Sequence, residues 1–150
     1  MAAITEDYCD FGIAKLLKEK GFEGYSILTI YDENAANAYI KELQEKHLPY
    51  SSDDPKLKEF YYTQPTLQMA MKWLRIEHNI HIEPHIVKTR NSYGYMPNFI
   101  DLKKLKSYFP FDADEFDFNN ADKYVCITYD KACEVAIKYC LEHIIPKSKI

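Results

Sequence analysis

Glycine, arginine and long apolar runs are all scarce in this chain. Only four of its 150 residues are glycine, too few for a phosphate-cradling loop, and neither a G-x-S-x-G elbow nor an H-E-x-x-H pair occurs. Arginine is limited to Arg75 and Arg90. The planar guanidinium fork is the group best suited to phosphate and base-edge contacts. With a net charge of -4 and no gathered basic run, duplex nucleic acid is disfavoured as a partner. Nowhere do 18 consecutive apolar residues occur, which argues against a membrane-spanning helix. The stretch from Met1 to Asp10 is acidic and lacks an apolar centre, so no secretory signal is expected there. The cysteines, Cys9, Cys126, Cys133 and Cys140, show no C-x-x-C spacing. Cys133 and Cys140 fall on one expected helix with Cα atoms ~10 Å apart, beyond disulfide reach. A reducing cytoplasm is the expected compartment.

What is present is ample apolar material, 47% hydrophobic against 28% charged residues. That is the composition of a packed domain rather than a disordered chain. A chain of this length fits one domain, 1–150, and buries roughly 70% of its unfolded surface without needing a metal or a disulfide. Tyrosine is the one excess, at 13 residues.

Periodicity predicts a short helix from Asp10 to Lys20, with Phe11, Ile13, Ala14, Leu16 and Leu17 as its stripe and Gly21 as its stop. A strand follows at Tyr25–Tyr31, then a helix at Glu33–Lys46 capped by Asp32, with Ala36, Tyr39, Ile40 and Leu43 inward. From His47 to Gln64, turn formers and charges predict an exposed connection. Pro65 opens a central helix in which Leu67, Ala70, Met71, Leu74 and His78 recur at helical spacing. Met69, Trp73 and Ile76 widen its apolar arc, and Asn79 ends it. Ile80, Ile82 and Ile86 then share one parity of a strand that Pro84 pushes toward an edge or bulge. Asn91–Gly94 reads as a turn and Tyr93–Ile100 as the antiparallel return. Leu102–Phe109 reads as one or two helical turns, and 112–122 (DADEFDFNNAD) as an acidic loop. Tyr124–Tyr129 is the last expected strand. The final helix is capped by Asp130 and followed by Pro146, with Ala132, Val135, Ala136, Tyr139, Cys140, His143 and Ile144 on one stripe.

This order implies an α+β fold: an antiparallel sheet of three or four strands packed against two main helices, an α-β-β-β-α core over 65–146. Residues 1–64 form an N-terminal helix-strand-helix extension and connection. At the level of topology the order resembles the double-stranded-RNA-binding domain. That family reads phosphates from a basic start to its second helix, whereas Asp130-Lys131-Ala132-Cys133-Glu134 stands here, so the likeness carries no function. Three segments resemble small proteins of gut Bacteroidales-type bacteria and their phages and mobile elements: Ala14–Phe22 (AKLLKEKGF), Pro65–Glu83 (PTLQMAMKWLRIEHNIHIE) and Tyr129–Ile145 (YDKACEVAIKYCLEHII). The resemblance covers about half the chain and implies no activity and no site residues.

His78, His81 and His85 surround Glu83, but His81 and His85 on one strand stand ~13 Å apart, too far to share an ion. No metal is expected. In the acidic loop the place of the EF-hand glycine is held by Asp117 and its twelfth position by Lys123, so calcium is not expected either. The loop, with Asp114 and Asp117, remains a candidate contact surface for a basic partner. No serine or cysteine is set beside a base by any motif, and the cysteines suit small apolar packing. Tyr93, Tyr95 and Phe99 would line one face of a strand, with Tyr61 and Tyr62 ahead of the central helix. Lys88, Arg90, Lys103, Lys104 and Lys106 lie near that strand in sequence. Such rows pack across strands, stack single-stranded bases or recognise a protein. The expectation is therefore a non-enzymatic, cofactor-free accessory or interaction module with a protein or a second copy of itself as partner. Tyr93, Tyr95, Phe99, Arg90, Asp114 and Asp117 are its candidate binding residues. Single-stranded nucleic-acid binding is the alternative, and an enzyme with a pocket that no motif announces is the third.

Overall fold

The fold begins with a capped helix. In the computed structural model, which describes residues 7–24, 28–49, 51–111 and 123–146, Asp10 accepts from the Ile13 amide at 2.8 Å and starts α1 (Phe11–Glu19). At its end Gly21 adopts a φ of 90°, and the amides of Gly21 and Phe22 bond back to the carbonyls of Lys18 and Leu17. This is a Schellman closure, which needs a left-handed residue at that place. Ile13, Ala14 and Leu17 form the buried face.

β1 (Thr29–Tyr31) pairs antiparallel with β2 (Tyr61–Thr63). Between them run α2 (Glu33–Glu45), capped by Asp32 as its sequence predicts, and a 3-10 helix at Pro55–Phe60. The strand expected over 25–31 is seen at Thr29–Tyr31, and residues 25–27 lie outside the described part. The connection expected over 47–64 instead carries the 3-10 helix and β2. Its Tyr-Tyr-Thr run favours a strand, but three residues are too few to reveal an alternation.

α3 (Leu67–His78) starts at Thr66 rather than Pro65. The Thr66 hydroxyl accepts from the Met69 amide at 3.2 Å, while the buried Pro65 offers its carbonyl to the Cys9 amide at 2.8 Å. Asn79 closes the helix in the left-handed region, φ 56°.

The long strand expected after Asn79 is two strands, β3 (Ile80–Ile82) and β4 (His85–Lys88), broken at Pro84. Its return is likewise broken at Pro97 into β5 (Tyr93–Met96) and β6 (Phe99–Asp101), and β7 (Lys106–Tyr108) follows. β3, β6 and β7 make one antiparallel sheet, and β4 with β5 makes another. Proline has no ladder donor, and at each proline the chain changes sheet. The β4–β5 turn centres on Arg90 and Asn91 and closes with the Thr89 amide on the Ser92 carbonyl at 2.9 Å, slightly earlier than expected. The helical turns expected over 102–109 are a tight turn and β7. Asp101 accepts there from the amides of Lys103 and Lys104, and Leu105 takes a φ of 54°. The strand expected over 124–129 is reduced to one antiparallel bridge, Cys126 to Tyr95.

α4 (Tyr129–Tyr139) is capped by Thr128, whose hydroxyl accepts from the Lys131 amide at 3.1 Å, not by Asp130. It runs into a π turn at Cys140–Ile144, closed by the Ile145 amide on the Cys140 carbonyl at 3.0 Å. Leu141 is buried in that wider turn while His143 and Ile144, expected inside, are exposed.

Ile13 and Leu17 of α1, Leu74 of α3, and Ile137 and Leu141 of the last helix meet Phe99 in the main core. The architecture is α+β. Its three-stranded antiparallel sheet lies between α3 and α4 in chain order, with the β4–β5 hairpin inserted between the first two strands. Helix α1, expected in an extension, is part of this core. No helix among the described residues is long and apolar enough to cross a membrane.

Candidate functional site: the outer face of the β4–β5 hairpin

The pairs of β4 and β5 are His85 with Met96, Ile86 with Tyr95, Val87 with Gly94 and Lys88 with Tyr93. Side chains alternate across a strand, so His85, Val87, Gly94 and Met96 take one face and Ile86, Lys88, Tyr93 and Tyr95 the other. The first face is closed on its β5 side, while Val87 is half-buried and His85 exposed. Gly94 and Met96 are buried, and a Cβ added at Gly94 would stand 2.3 Å from Val125 Cγ1 and 2.9 Å from the Cys126 carbonyl oxygen. Val125 therefore packs against Gly94 while Cys126 pairs with Tyr95 along the outer edge of β5, and only glycine permits that approach.

The second face is open over Ile86, Lys88 and Tyr93. Ile86 is 72% exposed and Tyr93 63%, and Ile127, beside the bridge to Tyr95, is 91% exposed. Tyr95 is half-buried, edge-on to Tyr93 at 6.2 Å and to Tyr129 at 5.8 Å between ring centroids. Each strand is short and held by tertiary pairing, so this face is built by the register rather than by a long alternation. No family model, curated protein or solved structure matches the chain. Its chemistry therefore has to be read from this geometry.

Of the residues expected to bind, the hairpin brings together Tyr93 and Tyr95, with Arg90 exposed in its turn. It does not include Phe99. That ring lies in β6, 4% exposed, stacked on Tyr108 at 5.4 Å and against Tyr139 at 5.9 Å. The break at Pro97 moves Phe99 into the core sheet, so it is a packing residue. Asp114 and Asp117 lie outside the described residues. Tyr61 stacks on Tyr31 at 4.5 Å, and Tyr62 receives Phe11 edge-on and Lys18 over its ring. Those tyrosines belong to the separate β1–β2 sheet.

Ile86 of the open face and the exposed Ile127 beside the hairpin escaped sequence reasoning. Ile86 shares parity with Ile80 and Ile82 in a continuous strand and was assigned to their face; the change of sheet at Pro84 exposes it. Ile127 sits in a β-prone run that leaves the sheet to reach the Thr128 cap. The hand-over between sheets is held by Asn98, which is fully buried. Its Oδ1 accepts from the Ser107 hydroxyl at 2.7 Å, its Nδ2 lies 3.2 Å from His85 Nε2, and its carbonyl accepts from the Glu83 amide at 3.0 Å.

No cluster of three or more His, Cys, Asp or Glu among the described residues is placed to hold a metal. Burial pushes the thiols of Cys9 and Cys140 up to about 12 and that of Cys133 up to about 11, far from a nucleophilic thiolate at neutral pH. Burial also draws the His78 ring, which stands edge-on to Trp73, below its usual value. Hollows of ≈ 170, 240 and 220 Å³ lie beside Lys18, Tyr31 and Lys104, and none is lined by serine, cysteine or histidine.

Proposed function

We propose that this chain is a non-enzymatic protein-interaction module, an accessory factor of the kind encoded by phages and mobile elements, that meets its partner through the outer face of β4–β5. The observation that carries this reading is the exposure of Ile86 and Tyr93 beside Tyr95 on one face of the hairpin, with the exposed Ile127 next to it, while Gly94 and Met96 of the opposite face are buried. Scattered apolar residues are ordinary on any surface. Here four lie around one hairpin, with the stiff, amphipathic tyrosine ring that suits protein contacts. The test is capture from a lysate of the encoding cell by wild type and by Ile86→Asp/Tyr93→Ser, with Ile76→Ser on α3 as an exposed control. A partner held by wild type and the control but lost by the double variant supports the reading. Equal capture by all three overturns it.

Single-stranded nucleic acid is the second reading, favoured by the pairing of Lys88 with Tyr93 and by the Tyr93–Tyr95 contact. Fluorescence anisotropy with labelled oligonucleotides at low and moderate salt separates the two. Salt-sensitive binding at micromolar protein would shift the assignment to nucleic acid.

A further inference from the structure

The open side of the hairpin is an edge as well as a face. Tyr95 directs both its amide and its carbonyl away from β4, to Cys126, at 2.8 Å each. The Thr89 amide bonds to the Ser92 carbonyl. Hydrogen-bonded and non-bonded pairs alternate along an antiparallel ladder, so Ile86–Tyr95 and Lys88–Tyr93 are the non-bonded pairs. The amides and carbonyls of Ile86 and Lys88 consequently point outward from β4, and no strand among the described residues lies on that side. An edge of this kind is a template for a further strand.

Lys88 and Arg90 put positive charge at the turn end of β4, while Glu83 stands before its other end. Residues 85–100 contain Lys88 and Arg90 and no aspartate or glutamate, in a chain of net charge -4. An acidic segment meets these cations with complementary charge. Resting on the protein-partner reading above, we infer that the partner docks by strand addition: an extended acidic segment pairs with the outer edge of β4, using the amides and carbonyls of Ile86 and Lys88. Side chains two apart share a face. The segment therefore carries an apolar residue beside Ile86 and a carboxylate beside Lys88, an acid-x-apolar pattern.

The probe is a labelled decapeptide in which glutamate and valine take turns at every second position with threonine between them (Glu-Thr-Val-Thr repeated), with a version carrying lysine for glutamate as control. Wild type binds the acidic peptide and not the basic one, and the amides of Ile86 and Lys88 become protected from hydrogen exchange. Ile86→Pro removes one outward donor at an edge position that tolerates proline and weakens binding about tenfold, the worth of one hydrogen bond. Ile86→Ala, which keeps the donor, weakens it less, and Lys88→Glu weakens it at low salt but little at high salt. Tyr93→Ser reports on the face alone. Should Tyr93→Ser abolish binding while Ile86→Pro and the exchange rates do nothing, strand addition is overturned and the face reading stands. Should the acidic peptide fail to bind wild type, or the chain self-associate through β4, strand addition is overturned even where lysate capture still depends on Ile86 and Tyr93.

Discussion

The two sheets that share the segment from Ile80 to Tyr108 use their aromatic residues in opposite ways. In the core sheet, Phe99 is stacked between Tyr108 and Tyr139 and almost wholly buried. In the hairpin, Tyr93 is mostly exposed and Tyr95 half-buried. The residues differ little; what differs is how far the helices cover each sheet. β3 lies under α3 and Phe99 of β6 under Tyr139 of α4, whereas β5 meets only the start of α4, where Tyr129 stands edge-on to Tyr95, and Ile86 and Tyr93 are left exposed. A tyrosine-rich strand is thus core or contact surface according to its neighbours, and the prolines at 84 and 97 decide which neighbours it meets.

The comparison breaks most visibly by truncation. Leu74 and Ile137 are fully buried, and Leu74→Ala or Ile137→Ala is expected to cost about 2–5 kcal/mol through lost transfer energy and the cavity left behind. Ile86→Ala removes an apolar side chain from the open face and is expected to stay within about 0.5 kcal/mol. Urea unfolding of the three variants checks this, and an Ile86→Ala loss as large as that of Leu74→Ala would mean the face is packed.

A smaller effect is expected at the joint between the two regions. Gly94→Ala drives a methyl into Val125 and the Cys126 carbonyl, and Asn98→Ala strips the partners from the Ser107 hydroxyl and the His85 ring. Each is expected to cost about 1–3 kcal/mol. Hydrogen exchange sharpens the point: Gly94→Ala should speed exchange at the Tyr95 and Cys126 amides while leaving those of α3 slow, because only the closed face of the hairpin is disturbed.

The thiols give a third contrast, in pH. Cys9, Cys133 and Cys140 have folded values raised from an ordinary 9.0 to about 12, 11 and 12. A raised value means that stability is fully present below pH 9 and is lost as pH climbs toward 11–12, since only the unfolded chain ionises in that window. Denaturation midpoints should therefore fall steeply above pH 9, and less steeply in Cys140→Ala. Cys126, half-buried at the hairpin, should react first with a thiol reagent at pH 8. Cys126→Ser should remove that fast phase, leaving three thiols that react only on unfolding.

The main helices were legible because α1, α3 and α4 each bury a stripe long enough to repeat, and Asp10 and Asn79 mark ends of α1 and α3 as Asp32 marks the start of α2. The α+β class followed from their order. Strands of three or four residues have no room for a period, so β2 and β7 were invisible. Leu102, Leu105 and Phe109 even mimic a helical stripe, yet all three are exposed. Of the candidate site, Tyr93 and Tyr95 could be named because two residues apart on any strand share a face. Ile86 could not, since its exposure depends on a change of sheet that a pattern of alternation does not encode.

The smallest effect is expected at that misleading stripe, and it has the opposite sign. Leu105 closes the β6–β7 turn with a φ of 54° and is 81% exposed, so its side chain contributes little packing while its backbone sits where a Cβ crowds the following carbonyl. Such a conformation costs roughly 1–2 kcal/mol in a non-glycine residue. Glycine removes that strain but adds freedom to the unfolded chain, so Leu105→Gly is expected to gain about 0.5–1 kcal/mol, and Leu105→Asn somewhat less. The gain should appear as a higher urea midpoint at unchanged slope and should leave peptide binding at β4 untouched. The turn belongs to the covered sheet alone, and a loss of binding on relieving it would mean that the two sheets are coupled through Asn98 and Ser107.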